Sequence, residues 1–166
     1  MNLAKSEAVA QQEFEPVETV HVLLIEDNPI DAKWVAHSLN RAAPDRFDLC
    51  MLAAADGVSE YLDRNSVDVI VLDLNLPDSN GWRTVTQITN SRPGMPIVVL
   101  SGQGDFETMR EALLAGAQTY QVKSESAQDN LAERIDFAIR RKAREVELAR
   151  RHFGLRPKLQ EVASSD

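Results

Sequence analysis

The chain has 166 residues, of which 43% are hydrophobic and 27% charged, and it carries a net charge of −8 at pH 7. That length suits one domain with a real core, and the acidic balance argues against non-specific binding to nucleic acid or to anionic membranes. No apolar stretch is long enough to span a bilayer, no signal-peptide pattern follows Met1, and the single Cys50 cannot form an internal disulfide, so a cytoplasmic protein is expected.

Residues 1–19 are polar and acidic with no sustained period and are expected to form a disordered tail. Val20 to Ile25 (VHVLLI) is a short apolar run that stops at Glu26 and Asp27. Asn28-Pro29 then supplies a cap followed by Pro at a helix start, and Trp34, Val35, Leu39 and Ala42 recur at helical spacing until Pro44. Phe47 to Ala54 reads as a second strand and Gly57 to Arg64 as a short helix. The third strand, within VDVIVLDLNLPDSNG from Val67 to Gly81, lacks the polar alternation of a half-exposed strand, which suits a strand covered on both faces. Asp73 ends it, and Asn75, Pro77, Asp78, Ser79, Asn80 and Gly81 are turn formers. Trp82 to Ser91 follows as a helix, then Ile97 to Leu100 (IVVL) as a strand ending at Ser101. Gly102 and Gly104 flank Gln103, Asp105 caps a helix bearing Phe106, Met109, Leu113 and Leu114, and Gly116 closes it. A fifth strand, Thr119 to Val122, ends at Lys123.

Five strands alternating with helices imply an α/β domain with a mainly parallel sheet and right-handed crossovers. Ser126 and Asp129 resemble a capping box opening a last helix over roughly residues 127–153, with a flexible tail expected at 154–166. Ala132, Ile139, Val146 and Phe153 recur every seven residues, with Ile135 and Ala149 on the second seam position, where Lys142 intrudes. Two readings of this helix stand: a homodimer through a coiled coil, or a terminal helix whose second half is a solvated charged face.

In a parallel sheet the strand ends share one edge, and there Glu26, Asp27 and Asp73 would meet Ser101 and Lys123. Carboxylates held close repel, so the cluster calls for a cation. Oxygen-only ligation with few protein ligands favours Mg²⁺, which also accepts phosphate oxygens. With Lys123 to offset charge and Ser101 to hydrogen-bond an oxyanion, the chemistry that fits is phosphoryl transfer onto Asp73. The competing reading of Asp73 alone is a strand-end acid that caps its own turn.

These residues resemble the receiver domains of two-component response regulators, through IEDNPID, VLDLNLPDSNG, VVLSG and AGAQTYQVK in the family's order. The resemblance covers about Val20 to Arg144. It implies a flavodoxin-like, doubly wound five-stranded sheet in the order 2-1-3-4-5, with the receiver core over residues 20–126 completed by the extended helix at 127–153. It further implies that Asp73 is the phosphoacceptor and that Glu26, Asp27, Asp73 and the backbone carbonyl of Asn75 hold Mg²⁺. Ser101 and Tyr120 match the switch pair, and Lys123 the lysine that pairs with the phosphoryl group. Gln103 and Asn75 match positions that tune phosphoryl loss, and Gly102 leaves room for the donor. Ser124 stands where receivers often have Pro. The implied partners are a histidine kinase or histidine phosphotransfer protein and a downstream protein, with neither nucleic acid nor membrane. The chain would be a signalling phosphoacceptor and not an enzyme.

Three other readings of the same residues stand beside this one. In one, the chain is the receiver portion of a larger signalling protein with a cyclase or kinase effector. A non-phosphorylated docking module would keep the fold alone. An aspartate-nucleophile phosphatase would want a second Asp two residues after the nucleophile, where this chain has Asn75.

Overall fold

In a computed structural model of the chain, residues 18–79, 81–102, 104–124 and 130–153 are described. Five strands, β1 (Val20–Ile25), β2 (Phe47–Leu52), β3 (Val69–Asp73), β4 (Ile97–Ser101) and β5 (Thr119–Val122), alternate with five helices. The helices are α1 (Pro29–Ala42), α2 (Val58–Arg64), α3 (Trp82–Ser91), α4 (Phe106–Leu114) and α5 (Leu131–Phe153). Every strand pair is parallel, and the sheet order is β2-β1-β3-β4-β5, as expected.

The unbroken apolar runs follow from a sheet covered on both sides. Val20, Val22 and Leu24 of β1, Val69 and Val71 of β3, and Val98 and Leu100 of β4 pack against Ala32, Val35 and Leu39 of α1 and Leu131, Ile135 and Ala138 of α5. The intervening residues, Leu23, Ile25, Ile70, Leu72, Ile97 and Val99, face Val58 of α2, Val85 and Ile88 of α3 and Ala112 of α4. Each buried Val, Leu or Ile side chain contributes roughly 1.5–3 kcal/mol, so neither side of a central strand can turn polar without loss. Edge strand β2 is only partly covered, and Cys50 with it.

The helix ends are set by short-range chemistry. Asn28 accepts a hydrogen bond from the Ile30 backbone N–H at 2.9 Å with Pro29 in the first turn, and Asp105 accepts from Thr108 N–H at 2.7 Å. Gly57, with φ 87°, precedes α2, which therefore begins one residue later than the sequence suggests. β2 stops at Leu52 and not Ala54, β3 starts at Val69 and not Val67, and β4 takes in Ser101. The expected tails, apart from Glu18 and Thr19, lie outside the described residues, as do Gln103 and the Ser126/Asp129 capping box. Helix α5 packs its first half on the sheet. Arg46, just before β2, grips Asp136 with two hydrogen bonds of 2.6 and 3.0 Å. Lys142, the residue that interrupts the seam, is buried against the domain and paired with Glu145 at 3.0 Å. No described helix is long and apolar enough to cross a membrane.

Candidate functional site

The register of the sheet brings the polar strand ends to one edge. Asp73 pairs with Leu100, and Leu100 with Gln121, so Ser101 stands one residue and Lys123 two residues beyond the level of Asp73 on the two strands to its side. The Lys123 N–H donates to the Ser101 carbonyl at 2.8 Å, which keeps the β5 end beside β4 past the last ladder pair. Glu26 continues β1 by donating its N–H to the Leu52 carbonyl at 2.9 Å.

The Lys123 ammonium lies at the centre. It donates to Glu26 Oε2 at 2.6 Å, Asp31 Oδ2 at 2.7 Å and Asp73 Oδ2 at 3.1 Å. The other Glu26 oxygen accepts from the Asn28 N–H at 3.0 Å, and the other Asp73 oxygen from the Asn75 N–H at 3.1 Å. The Glu26 side chain is 0% exposed, that of Asp73 5% and that of Lys123 12%. Burial raises the Glu26 carboxyl above its ordinary range, against the pull of the Lys123 and Asn28 hydrogen bonds, and the neighbouring Asp73 charge adds to the rise. Burial also works to lower the Lys123 ammonium. The hydrogen bonds to Asp31 and Glu26 and the charges of Asp73 and Glu26 outweigh it, so Lys123 sits above its ordinary value and stays charged.

Oxygen atoms of Glu26, Asp31 and Asp73 lie within 4.8 Å of one another. That is an all-oxygen, anionic donor set of the kind a hard divalent cation takes. The set differs from the expected one: Asp27 is exposed and is not among these three, whereas Asp31, unremarked in the sequence, is. Asp27 follows the end of β1 and faces solvent. Asp31 sits on the first turn of α1, whose Asn28-Pro29 start turns the helix back over the sheet edge. The available signal was its place in the first turn, three residues after the cap.

Of the other expected residues, Ser101 is buried at the end of β4 and Tyr120 is partly buried against the α4 side of the core. Asn75 and Gly102 are exposed on the loops after β3 and β4. Asp78 in the β3–α3 loop accepts from the backbone N–H groups of Asp56 at 2.8 Å and Ala55 at 3.1 Å, tying that loop to the one after β2. A cleft of about 600 Å³ lined by His21, Arg46, Asp68, Asp136 and Arg140 lies at the opposite edge of the sheet and contains none of the motif residues.

A doubly wound parallel sheet with an acidic, lysine-bridged site at its carboxyl edge is the class that this geometry defines. The family model of the response regulator receiver domain matches residues 22–136, well over half of the chain, and the protein belongs to that family. The transcriptional regulatory protein CusR of Escherichia coli K12 is 31% identical over 124 residues, covering 74% of this chain and 52% of CusR. TorR, the TorCAD operon transcriptional regulatory protein of the same strain, is 29% identical over 124 residues, covering 71% of this chain and 52% of TorR. The chain thus spans about half the length of these relatives. A response regulator receiver domain protein from Clostridium thermocellum superposes with a TM-score of 0.64 at 26% identity, over 76% of this chain and 98% of that one. The comparisons do not support the exclusion of nucleic-acid partners read from net charge, since CusR and TorR are transcriptional regulators by name. Net charge speaks only to the surface of the residues counted.

Proposed function

We propose that this chain is a phosphoacceptor: Asp73 takes a phosphoryl group from a histidine kinase or histidine phosphotransfer protein and signals through a conformational switch and protein contacts. The observation that carries this reading is the convergence of Asp73, Glu26 and Asp31 on the Lys123 ammonium at the carboxyl edge. Glu26 and Asp73 would hold Mg²⁺, with Asp31 beside them and with Asp27 and the Asn75 backbone carbonyl as the further ligands that the family resemblance implies. Bound Mg²⁺ offsets charge on the transferring group.

An oxygen of ionised Asp73 attacks phosphorus, the P–N bond of the donor phosphohistidine breaks, and the imidazole leaves with the electron pair and takes a proton from solvent. Lys123 holds one phosphoryl oxygen and the Ser101 hydroxyl another. Gly102 leaves space for the donor, since a Cβ there would meet nothing within 4 Å. Asn75 and Gln103 govern access of the water that hydrolyses the acyl phosphate. The chain turns over only its own phosphoryl group and acts on no separate substrate.

Ser101 and Tyr120 move together when the phosphoryl group is held, and the change is read on the α4–β5–α5 side, where Phe106, Leu114 and Phe137 stand exposed. Downstream protein contacts are made there. A second copy would pair through the far half of α5, where Leu148 and Phe153 are exposed. A second arrangement is a receiver working within a larger signalling protein, such as one with a cyclase or kinase effector.

Incubation with acetyl phosphate and Mg²⁺, read by intact-mass spectrometry, tests the phosphoacceptor role. One added phosphoryl group on the wild type and none on Asp73→Asn is expected. No adduct on the wild type, or an undiminished one on the variant, refutes it and leaves a docking module.

A further inference from the structure

An ammonium has three hydrogens to donate. Those of Lys123 go to three carboxylate oxygens, on Glu26, Asp31 and Asp73. A phosphodonor approaching Asp73 brings more anionic oxygens, and no Lys123 hydrogen is left over for them. One partner therefore has to yield.

The three partners differ in what release would cost. Glu26 is fully buried, and stripping its counter-charge would leave an uncompensated charge in the interior. Asp73 is the reacting group, and its side chain is 5% exposed. Asp31 is 33% exposed on the first turn of α1, so water can replace the ammonium there at little cost. Asp31 also places a negative charge within 4.8 Å of the Asp73 oxygen set, where it opposes an incoming dianionic group.

We propose that Asp31 is a positioning residue of this site: it holds Lys123 in the resting protein and is the partner that Lys123 releases to grip the phosphoryl group. Asp31 therefore sets how tightly a phosphoryl group is captured and how long it is kept. The inference rests on the phosphoacceptor reading above. A bland role is also available to Asp31, since an acid in the first turn of a helix favours the helix dipole. That role alone would change stability and leave capture untouched.

The two are separated by titrating the full chain, in Mg²⁺, with beryllofluoride as a phosphoryl mimic and following tryptophan fluorescence. The half-life of the phosphoryl group loaded from acetyl phosphate is measured alongside. Asp31→Asn is expected to bind beryllofluoride about tenfold more tightly, the order expected for removing one opposing charge a few ångström away in a partly solvated site, and to lengthen the half-life by a similar factor. Asp31→Glu, which retains the charge, stays near wild type, and Asp31→Ala moves in the same direction as Asp31→Asn. Unchanged or weakened capture in Asp31→Asn and Asp31→Ala, with native circular dichroism, overturns the proposal. A wild type that takes no phosphoryl group from acetyl phosphate instead fails the phosphoacceptor reading, and this proposal with it.

Discussion

Replacing Lys123 by Met would leave the Glu26 and Asp73 carboxylates facing each other in the interior without their cation. Both are nearly inaccessible to water, at 0% and 5% side-chain exposure, so solvent cannot substitute for the ammonium. Removing one partner of a buried ion pair costs about 3–5 kcal/mol. The bond to Asp31, one-third exposed, counts as a surface pair worth about 0–1 kcal/mol. A loss of about 4 kcal/mol moves a urea midpoint by on the order of 2 M for a small domain. The pH dependence follows from Glu26. Its folded pKa already lies above the ordinary carboxyl value, and Lys123 supplies the largest influence pulling it down. Without Lys123 it rises further, so the folded chain binds this proton more tightly than the unfolded chain, and stability falls as pH rises through the folded pKa. The deficit of Lys123→Met is therefore largest near pH 8 and shrinks as pH falls toward 5, and added Mg²⁺ shrinks it as well. Urea denaturation of both proteins by circular dichroism at the two pH values measures this. A deficit below about 1 kcal/mol, or one that grows on acidification, would refute the assignment of Lys123 as the counter-charge of a buried acidic pair.

Two further outcomes follow from local geometry. Gly116 ends α4 with φ 114°, and a Cβ there would lie 2.8 Å from Thr89 Oγ1, so Gly116→Ala should cost about 1–3 kcal/mol. Gly102→Ala, with open space at its Cβ, should stay within about 0.5 kcal/mol of wild type. Thermal unfolding of the pair decides it, and equal melting temperatures would contradict the strain argument. Asp78, exposed and held below the usual carboxylate range by the Asp56 and Ala55 backbone N–H groups, stabilises the two loops above the ordinary Asp pKa of about 3.9. That contribution is lost as pH falls through its lower folded value. A carboxyl titration followed by NMR should place its midpoint below that of an unperturbed Asp, and a midpoint at or above it contradicts the loop tie.

Strand runs and helix caps were legible in the sequence because they depend on near neighbours. VHVLLI, VIVLD and IVVLS read as buried strands since each lacks polar alternation, and Asn28-Pro29 and Asp105 marked helix starts through bonds reaching two or three residues. Legibility weakened at boundaries, where Gly57 in a left-handed conformation delayed α2 and partner strands decided the start of β3 and the end of β2. It failed for Arg46 and Asp136, ninety positions apart, whose pairing depends on where α5 crosses the sheet.

The polar residues at the strand ends can be read directly from the chain: Glu26, Asp73, Ser101 and Lys123 close apolar runs, and a parallel sheet with right-handed crossovers must deliver such ends to one edge. Which carboxylates meet there depends on long-range packing. Asp27 points to solvent and Asp31 reaches Lys123, because the angle at which α1 leaves β1 is set by packing of Ala32, Val35 and Leu39 on the sheet. Tertiary packing also buried Lys142, which breaks the heptad pattern on paper yet lies against the domain with Glu145 as its counter-charge. Local pattern specifies where a strand stops; the phase and tilt of a neighbouring helix arise from long-range packing that no window of sequence contains.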